Sequence, residues 1–199
     1  MKLALYIRGK GGNADEAKTY ENLFDGYDVV GFEYKALTPW EAKEEFPAFV
    51  APLREKYNSI IIIANSIGAY FAMNSLVDMP IEKAFFISPI VDMEKLILDM
   101  MLWAGVSEEE LRAKKEIPTS FGENLSWEYL SYVRAHPIEW RVPTAILYGE
   151  NDNLTSHKTI SEFAERTGAS LTVMKNGEHW FHTEEQIEFL CDWIVEQTV

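Results

Sequence analysis

Three side chains in this sequence have the type and setting that nucleophilic chemistry requires. Ser66 lies in Ala64-Asn65-Ser66-Ile67-Gly68, between the run Ile60-Ile61-Ile62-Ile63 and an amphipathic stretch beginning at Ala69. Successive β-branched residues predict a strand buried on both faces, and the helical pattern follows at once, so the chain must reverse at Ser66. A serine at such a reversal is held in a strained conformation that pushes its Oγ out at the strand's carboxyl end. Taken alone, a small-x-Ser-x-Gly string more often marks a plain strand-to-helix turn with a capping serine. A nucleophile also needs a base, and the base needs an acid to orient it. His179, in Asn176-Gly177-Glu178-His179-Trp180-Phe181-His182, is the candidate base, with glycine before it and aromatics after it to set a tight loop. His182 is the alternative, although it directly precedes a helix-capping sequence. Asp152, in Tyr148-Gly149-Glu150-Asn151-Asp152-Asn153, is the candidate acid; taken alone, such a residue more often makes an Asx-turn or caps a helix. His136 and His157 have no comparable surroundings.

The elements that must carry these residues alternate short apolar runs with helical periods, the pattern of an α/β protein with a parallel sheet. Six strands are expected, near residues 2–7, 28–34, 59–64, 83–87, 144–148 and 170–174. Ala14 to Phe24 reads as a helix, and Thr38-Pro39-Trp40-Glu41 is a capping box with proline at the first helical position. Pro47 and Pro52 should kink or split that second helix. Residues 92–141 are too long for an ordinary crossover and are expected to form a helical cap inserted in a single domain of residues 1–199. The insertion's Met100, Met101, Trp103, Phe121, Trp127, Tyr129, Tyr132 and Trp140 suit the roof of an apolar pocket, or simple packing onto the body.

A chain of 199 residues with 47 % hydrophobic content can bury one substantial core. No apolar run is long enough to span a bilayer and the N-terminus does not read as a signal peptide, so a soluble cytoplasmic protein is expected. Cys191, the single cysteine, excludes an internal disulfide and sits in an apolar helical pattern. The net charge of −14 opposes binding to nucleic acid or an anionic membrane and disfavours strongly anionic substrates.

The order Ser66, Asp152, His179 is the order of nucleophile, acid and base in α/β-hydrolases, and nearly the whole chain resembles a small member of that superfamily of the serine-esterase type. Arg8-Gly9-Lys10-Gly11-Gly12, after the first strand, resembles the His-Gly-x-Gly-Gly oxyanion loop with arginine for histidine. By that match the backbone N–H groups of Lys10 and Ile67 would form the oxyanion hole. Some members place the acid after the fourth strand, which makes Asp92 the alternative to Asp152. The resemblance implies an α/β-hydrolase fold trimmed of its first two antiparallel strands: a six-stranded, mainly parallel sheet of order 2-1-3-4-5-6, helices on both faces and the small cap. It implies hydrolysis of a small carboxylic ester, thioester or amide through an acyl-enzyme, with no metal or organic cofactor and a small acyl compound as substrate. Two other readings compete. The glycine loop could cradle a phosphate, with Glu33 or Asp28 as a ribose-binding acid, and the scaffold could bind a small molecule or a protein without turnover.

Overall fold

The computed structural model describes residues 1–198, which divide into two compact units, residues 1–91 with 139–198, and residues 92–138. The first unit is built on β1 (Lys2–Ile7), β2 (Tyr27–Phe32), α1 (Pro39–Lys56), β3 (Ser59–Asn65), α2 (Ile67–Ser75) and β4 (Lys83–Ile87). The second unit then intervenes with α3 (Met93–Ala104), α4 (Glu108–Lys114), β5 (Glu116–Pro118), β6 (Asn124–Ser126) and α5 (Trp127–Ala135). The first unit resumes with β7 (Thr144–Gly149), α6 (His157–Thr167), β8 (Ser170–Met174) and α7 (Glu184–Thr198).

Six of these strands form one sheet in the order β2-β1-β3-β4-β7-β8, and every pairing in it is parallel. In order of appearance the main-sheet strands run 2-1-3-4-5-6, the order expected. Leu3 to Ile7 and Ile62 to Ala64 are wholly buried, so both sheet faces must be covered. On one face Tyr6, Ile63, Phe85 and Leu147 pack with Tyr20, Phe24, Leu190 and Trp193. The opposite face meets α1 and α2, where Phe46 lies edge-on to Phe32 and Phe71 at 5.0 and 6.1 Å.

Three local expectations are corrected. The segment after the glycine loop is not an α-helix from Ala14 to Phe24 but a 3-10 helix over Ala14–Tyr20. The close packing there leaves no room at Gly31, where a Cβ would lie 2.0 Å from the carbonyl oxygen of Ala14. The prolines do not split α1, which runs 18 residues through Pro47 and Pro52. Ala42, Phe46 and Val50 bury one stripe at four-residue spacing, while Lys43 and Ala48, whose carbonyls lose their i+4 donors, are exposed to water. The third concerns the inserted region, which is not wholly helical: β5 and β6 pair antiparallel, in strands of three residues too short to show a period of two.

Within the second unit Asp92 caps α3, its Oδ1 accepting from Lys95 N–H at 2.9 Å. Arg134 of α5 ties the helices together, with a two-pronged contact to Glu108 at 2.7 and 2.9 Å and a third bond to Glu94 at 2.7 Å. Trp140, grouped above with the insertion, belongs to the body: its ring lies 5.7 Å from Phe86 and its Nε1–H donates to Thr144 Oγ1 at 2.8 Å. Among the described residues, no helix is long and apolar enough to cross a membrane.

Candidate active site

Ser66 occupies the one-residue junction between β3 and α2, with φ 50° and ψ −120°. Few non-glycine residues adopt positive φ, and this one is fixed from both sides: its N–H donates to Ile87 O at 3.0 Å and its carbonyl accepts from Ile90 N–H at 3.2 Å. Close approach of α2 to the end of β1 explains Gly68, where a Cβ would lie 2.3 Å from Arg8 O and 2.9 Å from Ile7 O. Ala64, in the place where a glycine is more usual, is fully buried in β3 between its register partners Ile7 and Phe86. The simplest alternative for Ser66, a side chain capping the helix, does not hold: no such bond is formed. Its Oγ instead lies 2.8 Å from His179 Nε2.

The loops after β7 and β8 are stapled to each other, which fixes what they carry. Asn151 N–H donates to Gly177 O at 2.8 Å, Glu150 N–H to Met174 O at 3.0 Å, and Asn176 N–H to Glu150 Oε2 at 2.9 Å. Gly149 permits this contact, because a Cβ there would stand 2.6 Å from backbone atoms of Gly177 and Glu178. Asp152 and His179 project from the stapled pair, with Oδ2 and Nδ1 2.7 Å apart. Asp152 Oδ1 meanwhile accepts from Leu154 and Thr155 N–H at 2.8 and 2.9 Å, so the Asx-turn and the histidine contact coexist on different oxygens. The Asp152 side chain is fully buried and that of His179 only 14 % exposed. A carboxylate can only accept, so Nδ1 carries the ring proton and Nε2 presents a lone pair to the Ser66 hydroxyl.

The alternatives are engaged elsewhere. Asp92 caps α3, and His182 Nδ1 lies 2.6 Å from Trp180 O and 3.4 Å from Glu178. His136 contacts Tyr132 O, His157 lies against the Tyr148 ring, and Cys191 is partly buried with its thiol pKa raised, chiefly by burial.

The glycine loop lies beside Ser66, and Gly9 leaves room for it: a Cβ there would stand 3.3 Å from Ser66 Cβ. Lys10 is in its turn, and Ile67 is the first residue of α2, where a backbone N–H has no intrahelical partner. Arg8, in the position of the expected histidine, turns away to brace the loop. It donates to Tyr34 O at 2.8 Å and Gly9 O at 3.3 Å, lies over the Tyr34 ring at 4.2 Å and pairs with Glu33 at 3.3 Å. The Tyr34 hydroxyl returns a bond to Arg8 O at 3.0 Å, and burial, the largest influence, pushes its pKa up to about 12, keeping the phenol a donor.

A phosphate cradle finds no support here. The helix after the loop starts with amides taken by side-chain oxygens, Ala14 N–H by Glu33 at 2.8 Å and Asp15 N–H by Asn13 at 2.9 Å. Its first turn carries Asp15 and Glu16, and Asp28 is bound to Tyr57 and Lys56. No group of three or more histidine, cysteine or acidic side chains placed to hold a metal ion occurs among the described residues.

Ser66 and His179 open onto a cavity of about 600 Å³ lined wholly by the first unit. Ile87, Leu154, Phe181, Ile187 and Leu190 give it apolar walls, and Tyr6, Glu16 and Asn65 give it a polar patch. That patch was not foreseen from the sequence, in which its members are separated by up to 59 positions and carry no shared motif.

The parallel sheet, the strand-to-helix junction at its centre and the two stapled loops at its carboxyl edge define an α/β-hydrolase fold. Solved structures place it among particular neighbours. Est1E from Butyrivibrio proteoclasticus matches with a TM-score of 0.79 at 14 % identity, over 99 % of this chain and 86 % of that one. A further structure of Est1E holds ferulic acid. Alpha/beta hydrolase domain-containing protein 10 from mouse gives a TM-score of 0.75 at 15 % identity, covering 98 % and 89 %. An esterase from Pyrococcus furiosus gives 0.68 at 20 % identity, covering 98 % and 80 %. No family model and no curated protein matches in sequence.

Proposed function

We propose that the protein is a serine hydrolase that cleaves a small carboxylic ester, or a related thioester or amide, through an acyl-enzyme on Ser66. The observation that carries this reading is the continuous line of bonds from Ser66 Oγ to His179 to buried Asp152, at 2.8 and 2.7 Å, on a serine held at positive φ. In the first step His179 Nε2 takes the Ser66 proton as Oγ attacks the carbonyl carbon, and the carbonyl electron pair moves onto oxygen. The N–H groups of Lys10 and Ile67 hold that oxyanion. His179 then delivers the proton to the leaving alcohol, thiol or amine, water repeats the sequence on the acyl-enzyme, and Asp152 keeps the imidazole in the required tautomer throughout. Neither a metal nor an organic cofactor takes part, and the enzyme works in the cytoplasm on small acyl compounds, with no role for nucleic acid or membrane. The esterases among the structural neighbours, one of which holds a carboxylic acid, support this class of substrate.

A fluorophosphonate probe tests the reading. Wild type is expected to label covalently and Ser66→Ala not at all. Equal labelling of both, or failure of a folded wild type to label or to cleave any ester, would show a scaffold that binds without turnover.

A further inference from the structure

The polar patch in the cavity beside Ser66 has a defined direction of hydrogen bonding. The Glu16 carboxylate only accepts, so the Tyr6 hydroxyl donates to Glu16 Oε2. Tyr6 has then spent its proton, and the contact at 3.2 Å from Asn65 must be an Nδ2–H donating to Tyr6 Oη. This fixes the amide: Asn65 Oδ1 faces away from Tyr6. It is shut off from solvent and accepts no hydrogen bond among the described residues. Buried acceptors of this kind are rare because an unmet one costs free energy, here spent on holding Tyr6 and Glu16 in place. The Glu16 Oε1 atom takes only the N–H of Asn13, which leaves further acceptor capacity on a carboxylate that lines the same cavity. Tyr6, fully buried, has its pKa raised, mainly by burial with lesser contributions from Tyr20 and Glu16, and remains a neutral phenol.

Asn65 directly precedes the nucleophile and, through Tyr6, steadies Glu16 in the cavity onto which Ser66 opens. From this geometry we propose that the cavity selects substrates whose apolar chain carries a hydrogen-bond donor, a hydroxyl or an ammonium group, received by the Glu16 carboxylate. The walls formed by Ile87, Ile187 and Leu190 take the chain, and the acceptor patch rejects a terminal carboxylate. Lys10 also lines the cavity, so discrimination against an anion is a real test and not a foregone result.

This inference rests on the hydrolase reading, and the experiment separates the two. The substrates are methyl hexanoate, methyl 6-hydroxyhexanoate, methyl 6-aminohexanoate and monomethyl adipate, with hexyl, 6-hydroxyhexyl and 6-aminohexyl acetates as the mirrored set in which the alcohol carries the group. Release of acid gives kcat/KM for each. In at least one set, a donor-bearing ester is expected to exceed its methyl-ended counterpart by about fivefold or more, with the adipate the poorest of the acyl set. Glu16→Gln and Glu16→Ala should each bring that ratio towards unity, a comparison made within each variant and so independent of its overall activity. Equal rates across both sets, a preference for the adipate, or a donor preference undiminished in both variants would overturn the inference while leaving the Ser66 chemistry standing. Hexanoate cleavage that persists in Ser66→Ala would instead overturn the hydrolase reading itself.

Discussion

Gly68→Ala is the substitution whose outcome the packing dictates most directly. A Cβ at this position would lie 2.3 Å from Arg8 O and 2.9 Å from Ile7 O, both backbone atoms that no rotamer change can move. Restoring ordinary contact requires the first turn of α2 and the end of β1 to separate by about 1 Å, against packing that resists such shifts. Two effects on stability oppose each other. Alanine in a helix gains about 1 kcal/mol over glycine, whereas forcing atoms into a packed site costs about 1–3 kcal/mol. The net is a loss of about 0–2 kcal/mol, seen as a fall in Tm of about 0–8 °C for a chain of this size. Activity should suffer far more, because the separation pulls Ser66 and Ile67 away from the loop that carries Lys10. A misplacement of about 1 Å at such a site costs on the order of 100-fold. Thermal unfolding and the rate of fluorophosphonate labelling, run on the same preparation, give both quantities. A variant that labels at the wild-type rate would refute the argument that this close approach sets the geometry of the site.

Two further outcomes follow from residues near the loop and in α1. Arg8→Ala removes the brace to Tyr34, Gly9 and Glu33, and should lower kcat by about tenfold or more with little change in KM, since it loosens a loop proposed to act on the oxyanion and not on the bound ground state. Steady-state kinetics check this, and an effect confined to KM would contradict it. Glu41 has its pKa lowered, first by the N–H of Leu37 and then by the Thr38 hydroxyl, so near its ordinary value the folded chain binds fewer protons than the unfolded one. Its contribution to stability is therefore complete above the unfolded value and disappears as pH falls through the lowered one. Glu41→Gln should cost about 1–2 °C in Tm near pH 7 and nothing near pH 2, which unfolding scans at the two pH values will check.

The main sheet was legible in the sequence because its strands are buried on both faces and so read as unbroken apolar runs, as at Ile60 to Ile63. The meeting of Ser66, Asp152 and His179 was legible for a related reason. Each follows a parallel strand, so all three emerge at the same sheet edge. What escaped depends on contacts between distant segments. The 3-10 geometry after the glycine loop goes with a backbone pressed against Gly31, and the continuity of α1 depends on packing that outweighs two prolines. The bracing role of Arg8 required knowing that Tyr34 stands above it. Nothing in a linear reading joins Tyr6, Glu16 and Asn65, because only the register of β1 beside β3 and the turn into the 3-10 helix bring them together.

The outermost strand β2 pairs with β1 alone, so the described sheet ends on a row of backbone groups able to recruit a foreign strand. Asp28, near the start of that row, is held by the Tyr57 hydroxyl at 2.7 Å, and this bond is the first cause of its lowered pKa. A charged side chain anchored on an edge strand, here paired with Lys56 at 3.5 Å, resists burial against an added strand, and Gly31 further along offers no side chain for such a strand to grip. This edge thus carries its own guard against edge-to-edge pairing. Because that guard is ionic and the Asp28 pKa is lowered, it persists until the pH falls below the ordinary carboxylate range.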